Sequence, residues 1–418
     1  MLVALLGTAV LYAIGWLVTG RRRDGLVPAA IVGGVLGLVL RQFDVLPGSI
    51  EAWQEVAYHL FGISFLAIGL TRSERSGVTR GALWLGVGAG LVFAVQAVVG
   101  GLVTVVWRAS GRDLFPAFGY LAPMGLEEGP GQAVSIGGIW ESSGFTDAVS
   151  LGATVASLGF VVAYGLGLWA LRLHGRRRGG PDRTTRAPDV QDHVAPWSLV
   201  GSVALVVAGY VVLYVLVGAL AGLGGAEVRD TVLGILFFLA LLVGLGVRTL
   251  VERTGRRIPA EPQRRIAVAA VDGLTVAILA SLAWASIAAD ALPLAVLVVT
   301  TVAATIATVV LVTRRLPQPH RFTRGLALFG TVTGTVSSGL ALVSLADPDD
   351  RDVVAVELGA AVVPSAPLVL GGVAVATATA QGALSLPLSL GVFAVVAVGA
   401  WVGTGLLSRR MDRASSLG

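Results

Sequence analysis

The chain has 418 residues, 55% of them hydrophobic and 13% charged, with a mean hydropathy of +0.83. A water-soluble domain carries about 25% charged residues, so this composition excludes a soluble globular fold and implies a chain that turns most of its surface to lipid. The net charge is +5, all 30 basic residues are Arg, and there is no Cys, which excludes disulfides, thiolate nucleophiles and Cys-ligated metals.

A membrane-spanning helix needs about 20 mainly apolar residues. In chain order the apolar runs predict spans over Met1–Gly20, Leu26–Leu40, Trp53–Leu70, Gly81–Trp107 and Phe145–Leu173. The first run lacks an n-region charge and a small-residue cleavage site, so it reads as a retained helix rather than a signal peptide. The basic stretch His174–Pro196 reads as a cytoplasmic linker. Further spans follow over Trp197–Gly224, Thr231–Val251, Ile266–Ala289, Ala291–Thr313, Val353–Ala380 and Leu384–Leu407. That makes eleven transmembrane helices in an all-α membrane protein.

Two Gly-, Ser- and Thr-rich stretches, Asp113–Gly144 and Pro317–Asp352, fit neither a span nor a short loop. Irregular backbone at membrane depth is tolerated where protein buries it or it lines a watery cavity, and both stretches read as re-entrant hairpins. The Arg placement tests this layout. With the N-terminus outside and the C-terminus cytoplasmic, all but Arg41, Arg108, Arg112, Arg229 and Arg351 fall on the inner side, as the positive-inside rule requires of a multi-pass protein of the cell (inner) membrane. The chain then divides into two repeats of opposite orientation, 1–173 and 197–381, each with five spans and one hairpin, followed by an extra helix over 384–407. Inverted repeats with broken helices are the architecture of secondary transporters.

The first hairpin carries Glu127, Glu128, Gly129, Gly131, Gln132 and Ser135, and the second carries Gly330, Thr331, Thr333, Gly334, Ser337 and Ser338. Glycines let a backbone approach a ligand closely, and freed N–H groups bind carboxylates where a helix begins. Gly129, Gly131, Gln132, Ser135, Gly330, Thr331, Thr333, Gly334 and Ser337 are therefore the expected solute-binding residues, and Thr331, Thr333, Ser337 and Ser338 are suited to Na⁺. Such Gly and Ser runs also serve close helix packing. Asp272 and His59 are ionisable residues inside apolar runs and, with Glu127 and Glu128, are candidates for ion coupling. Helix capping is the alternative role for His59 and Asp272. Gln96 and Glu357 are weaker candidates, equally suited to packing hydrogen bonds. The cluster Asp347-Pro348-Asp349-Asp350 with Asp352 reads as a solvated turn. No nucleotide-binding loop, zinc-peptidase helix or nucleophile elbow is present, so no catalytic residue is expected.

Gly144-Phe145-Thr146-Asp147 followed by Ala156-Ser157-Leu158-Gly159 resembles the bacterial sodium/glutamate symporters, as do Val27-Pro28 with Gly33-Gly34, the run Phe65–Leu70, and Gly330 with Gly334. The resemblance implies sodium-coupled symport of glutamate or a related small carboxylate by alternating access, a homodimer, and no cofactor beyond Na⁺ or H⁺. It involves no nucleic acid. The chain departs from the family at Glu128-Gly129-Pro130-Gly131, at Thr331 and Thr333, and in its extra C-terminal helix. A Glu pair at the vertex repels an acidic solute unless neutralised. This leaves open a proton-coupled carrier of another solute, or a non-transporting membrane binding or assembly protein on the same fold.

Overall fold

In a computed structural model of the chain, residues 1–20, 28–71, 79–177, 196–256, 258–282, 288, 290–318, 320–346 and 348–415 are described; within them the side chains of 175–177, 196–198, 226, 227, 230, 231, 337, 344, 348–352, 414 and 415 are not. The described residues are mostly helical, without strands. The helices are α1 (Leu2–Gly20), α2 (Ala29–Gln42), α3 (Ile50–Leu70) and α4 (Arg80–Ala109), then α5 (Leu121–Leu126), α6 (Gly129–Ser142), α7 (Ala148–Arg177) and α8 (Pro196–Gly222). After these come α9 (Ala226–Gly234), α10 (Leu236–Arg253), α11 (Ala260–Ser281) and α12 (Ala291–Thr313), and finally α13 (Arg321–Gly334), α14 (Val336–Ser344), α15 (Pro348–Ala380) and α16 (Leu386–Ser415).

Among the described residues, seven helices are long and apolar enough to cross a membrane: α1, α4, α7, α8, α12, α15 and α16. On α8, Val200, Val211, Leu216 and Leu220 are exposed, and on α16 so are Val395, Val398 and Val402. Soluble monomers rarely expose apolar surface on this scale, so the protein is embedded in a membrane. The other expected spans also form helices. However, α2 has 14 residues, α3 carries Glu51, Glu55 and His59, and α11 carries Glu261, Arg264, Arg265 and Asp272.

Several expected boundaries move. The single span expected over Thr231–Val251 is broken at Ile235 into α9 and α10. Tyr58 Oη donates to Leu233 O at 2.6 Å, drawing that carbonyl out of the helix, and Ile139 fills the space a side chain at Gly234 would take. α11 starts six residues before the expected Ile266, because Glu261 pairs with Arg264 and Arg265 along the helix and Pro259 sets its entry. Its expected end lies outside the described residues in part, since 283–287 and 289 are not described. The linker is helical as far as Arg177, and 178–195 lie outside the described residues. Residues 348–352, expected as a solvated turn, begin α15; Asp347 and the side chains of Pro348 to Asp352 lie outside what is described.

The chain forms two compact units. The first comprises 1–76, 130–153 and 190–287; the second comprises 77–129, 154–189 and 288–418. Each takes elements from both sequence halves. The first three spans of each half lie in the first unit, and the fourth and fifth lie mainly in the second.

In the first unit α3 packs on α10 and α11, while α2 packs on α1 and α11. Leu66, Ala67, Leu70, Val206, Tyr210, Leu236, Ala240 and Ala267 form one core. In the second unit α4 is central, packed by α12, α15 and α16, over a core that includes Trp84, Leu85, Leu91, Val92, Val309, Leu328, Val332 and Leu358. Buried Arg324 of α13 and Glu357 of α15 form a two-pronged ion pair at 2.7 and 2.8 Å, against which Gly81 of α4 leaves room for no side chain. Arg324, expected in a cytoplasmic loop, is thus an interior residue, because Glu357 supplies its counter-charge.

Candidate functional site

The stretch Pro317–Asp352 folds as two helical arms, α13 and α14, back to back. A Cβ on Gly330 would stand 2.8 Å from Gly339 Cα, and one on Gly339 would stand 2.9 Å from Ala327 O. Glycine at both positions allows this approach. The arms are joined at Thr335, whose φ of 136° and ψ of 171° lie in a region that essentially only glycine adopts freely. Its N–H still donates to Thr331 O at 3.0 Å, and its carbonyl accepts from Gly339 N at 3.1 Å.

A helix end leaves its last carbonyls without intrahelical donors. At the end of α13 one of them, Val332 O, accepts from Gln96 Nε2 of α4 at 2.9 Å. Gln96 also donates to Thr305 Oγ1 of α12 at 3.0 Å. Gln96 is fully buried, and its Oε1 has no partner. Ser338, in the first turn of α14, is likewise fully buried with an unpartnered Oγ. Thr331 and Thr333 donate their hydroxyl protons to Ala327 O and Phe329 O at 2.9 and 2.6 Å. This leaves oxygen lone pairs as what they offer.

The second chain break lies at Glu127–Gly129, between α5 and α6. Gly129 takes φ +78°. A Cβ there would stand 2.5 Å from Thr335 Cγ2, so the two breaks touch inside the second unit. Gly159 of α7 closes the same region: its Cβ would lie 2.5 Å from Thr333 O and 3.2 Å from Leu126 Cδ2. Glu127 is 5% exposed and its Oε2 has no partner.

The structure therefore brings Gly129 to Thr335 and Gly334; Glu127 and Glu128 directly precede that glycine, and Gly330, Thr331, Thr333 and Ser338 lie on the two arms beside Thr335. The side chain of Ser337 is outside those described. Three buried atoms around these breaks lack protein partners: Gln96 Oε1, Glu127 Oε2 and Ser338 Oγ. All are oxygens, one of them from a carboxylate. Buried polar atoms are nearly always satisfied, so this set suits a hard cation, which binds through oxygens. The break also aims the negative end of the α13 dipole and the positive end of the α14 dipole at one region. Among the described residues no group of three or more His, Asp or Glu side chains is gathered for a metal.

The other expected residues belong to the first unit. Gly131 lies against the Phe61 ring, with no space for a side chain. Gln132 and Ser135 are buried, and Ser135 Oγ is unpartnered. His59 Nδ1 lies 3.0 Å from Tyr210 Oη, with Tyr58 and Tyr214 packed edge-on to its ring. Asp272 Oδ2 accepts from Tyr12 Oη at 2.9 Å. Asp272 is held side chain to side chain rather than as a cap, since α11 begins twelve residues before it. The residue of this region that the sequence does not single out is Thr305, because one Thr in an apolar span that holds several leaves no signal of its own.

Comparison of the chain with protein-family models, with curated proteins and with solved structures returned no match in any of the three.

Proposed function

We propose that this membrane protein is a secondary active transporter, a sodium-coupled symporter of glutamate or a related small carboxylate. The observation that carries the reading is the meeting of two helix breaks in one unit, beside three buried oxygens without protein partners. Discontinuous helices of this kind hold solutes and coupling ions in secondary transporters. Carbonyls and hydroxyls at the α13 end and Glu127 suit Na⁺, while N–H groups opening α14 suit a carboxylate. The drawing of each unit from matching spans of both halves is what interleaved inverted repeats produce. The same reading includes eleven crossings, an outside N-terminus and the cell membrane, as the apolar runs and the Arg placement suggest, and two re-entrant hairpins and a homodimer, as the resemblance to sodium/glutamate symporters implies.

Buried Glu127 favours one second reading, a proton-coupled carrier of a different solute, because an unneutralised carboxylate there repels an acidic one. Reconstitution in liposomes separates the two. Glutamate uptake that follows an imposed sodium gradient is the expected result. Uptake that follows only a proton gradient selects the second reading. Absence of gradient-driven uptake of any amino or dicarboxylic acid overturns both, and leaves a membrane binding or assembly protein.

A further inference from the structure

We infer that Asp272, held by Tyr12, is a proton-binding site that water reaches through a cleft along one face of α11. Glu261, Arg264, Arg265, Val268, Ala269 and Asp272 follow one another at helical spacing and form a single stripe. With Tyr12 of α1 they line an open cleft of about 350 Å³, room for on the order of ten waters. The mouth is polar: Glu261 pairs with Arg265 at 2.9 Å and with Arg264 at 3.4 Å, in solvent-exposed geometry. Asp272 lies roughly 11–16 Å further along the helix at about 1.5 Å per residue. Val268 and Ala269 are exposed along the way and leave the path open.

The chemistry selects the proton over a metal ion. One carboxylate oxygen already accepts from the Tyr12 phenol, the cleft's other carboxylate, Glu261, is paired with Arg264 and Arg265 at the mouth, and among the described residues no group of three or more acidic or imidazole side chains gathers there. Na⁺ or a divalent ion needs several oxygens, whereas a proton needs one. A carboxylate inside an apolar helix run is costly and marks ion pathways in membrane proteins.

Among the described residues, the charged and titratable groups of the neighbouring elements are engaged away from Asp272 or set apart from it. On α2, Arg41 is turned to Ala280 O, Leu46 O and Gly48 O. On α3, Tyr58 serves Leu233 O and His59 serves Tyr210, while Glu51 stands in the first turn and Glu55 one turn further on. On α8, Tyr210 and Tyr214 surround the His59 ring. Tyr12 from α1 meets the carboxylate, and Glu261, Arg264 and Arg265 share its stripe.

The inference deepens the transporter reading, on which its role in coupling rests, yet its test needs no flux. A hydrophobic carbodiimide modifies carboxyls that are protonated in apolar surroundings, and mapping by mass spectrometry locates the adduct. On the purified full chain Asp272 is expected to be modified at about pH 5 and progressively less toward about pH 9, across the range in which a carboxyl can titrate. The adduct is lost in Asp272→Asn. The chain contains no Cys, so single-Cys variants report water access directly. In liposomes, Ala269→Cys is expected to react with a charged thiol reagent at a rate comparable to Arg264→Cys, while Ala270→Cys, at a buried position, stays unreacted. An Asp272 that is never modified, or modified equally at every pH, overturns the inference, and so does an Ala269→Cys as inert as Ala270→Cys. Failure of uptake with labelling intact overturns the transporter reading instead and leaves the proton site standing.

Discussion

Gln96 is the one uncharged polar side chain of its size in a 30-residue apolar helix, and it ties α4 to both α12 and the end of α13. Gln96→Leu removes both donated hydrogen bonds and strands Val332 O, a change expected to cost about 1–3 kcal/mol for the buried acceptor left behind. In thermal unfolding in detergent the midpoint should fall. On the proposed function, the sodium concentration giving half-maximal uptake should rise as well, because Oε1 is lost from the oxygen set. An unchanged sodium dependence would remove Gln96 from the ion site and leave it a packing residue. The Arg324–Glu357 pair makes a different residue-scale prediction. Both side chains are under 10% exposed, so Glu357→Leu alone leaves a buried guanidinium unpaired and should cost about 3–5 kcal/mol, whereas Arg324→Met with Glu357→Leu should recover most of it. Denaturation midpoints of the two singles and the double check this, and a double no better than the singles refutes the pairing.

At the scale of elements, the apolar runs marked the helices, because burial in lipid demands a long uninterrupted stretch. The Gly and Thr clusters marked where helices break, because close backbone approach excludes side chains. Ile235 shows the limit. Nothing in Leu233-Gly234-Ile235-Leu236 distinguishes it from a continuous span; the break depends on Tyr58, 175 residues away in sequence, which donates to Leu233 O. The contact between the two breaks was equally hidden, since it joins Gly129 to Thr335 across the chain.

That contact can be measured. Gly129→Ala must hold a Cβ at φ +78° and 2.5 Å from Thr335 Cγ2, so it should destabilise by more than the ~1 kcal/mol by which a compatible Gly-to-Ala change stabilises. Thr335→Gly releases backbone strain of about 1–3 kcal/mol, offset by about 1 kcal/mol of glycine entropy. The single variant should therefore be neutral or stabilised. It should also soften the effect of Gly129→Ala, giving a coupling energy of about 0.5 kcal/mol or more in a double-mutant cycle. Strictly additive effects would mean that the two breaks do not touch.

For the whole molecule, charge placement carries what helix lengths alone do not. Length and composition support seven crossings, while the Arg bias supports eleven, and the two counts are both odd. They place the chain termini identically, so terminal tags do not separate them. The difference falls on α2, which is apolar but has only 14 residues, and on α3, α10 and α11, which carry charged residues; on α3 and α11 polar groups have partners inside the first unit: Tyr58 on Leu233 O, His59 on Tyr210 and Asp272 on Tyr12. A polar group satisfied within the protein costs a spanning helix much less than a free one, so partnered polar residues do not by themselves bar α3 or α11 from crossing. If all four cross, the loop after α2 lies outside and the loop after α10 lies inside; if none does, both positions reverse. Val45 is 63% exposed in the first loop, and Thr254 is exposed in the second. With no native Cys to interfere, Val45→Cys should react with an impermeant thiol reagent added outside intact cells. Thr254→Cys should react only after the membrane is opened. Exchanged reactivities would replace the eleven-span layout by the seven-span one and, with it, remove the inverted repeat on which the transporter reading leans.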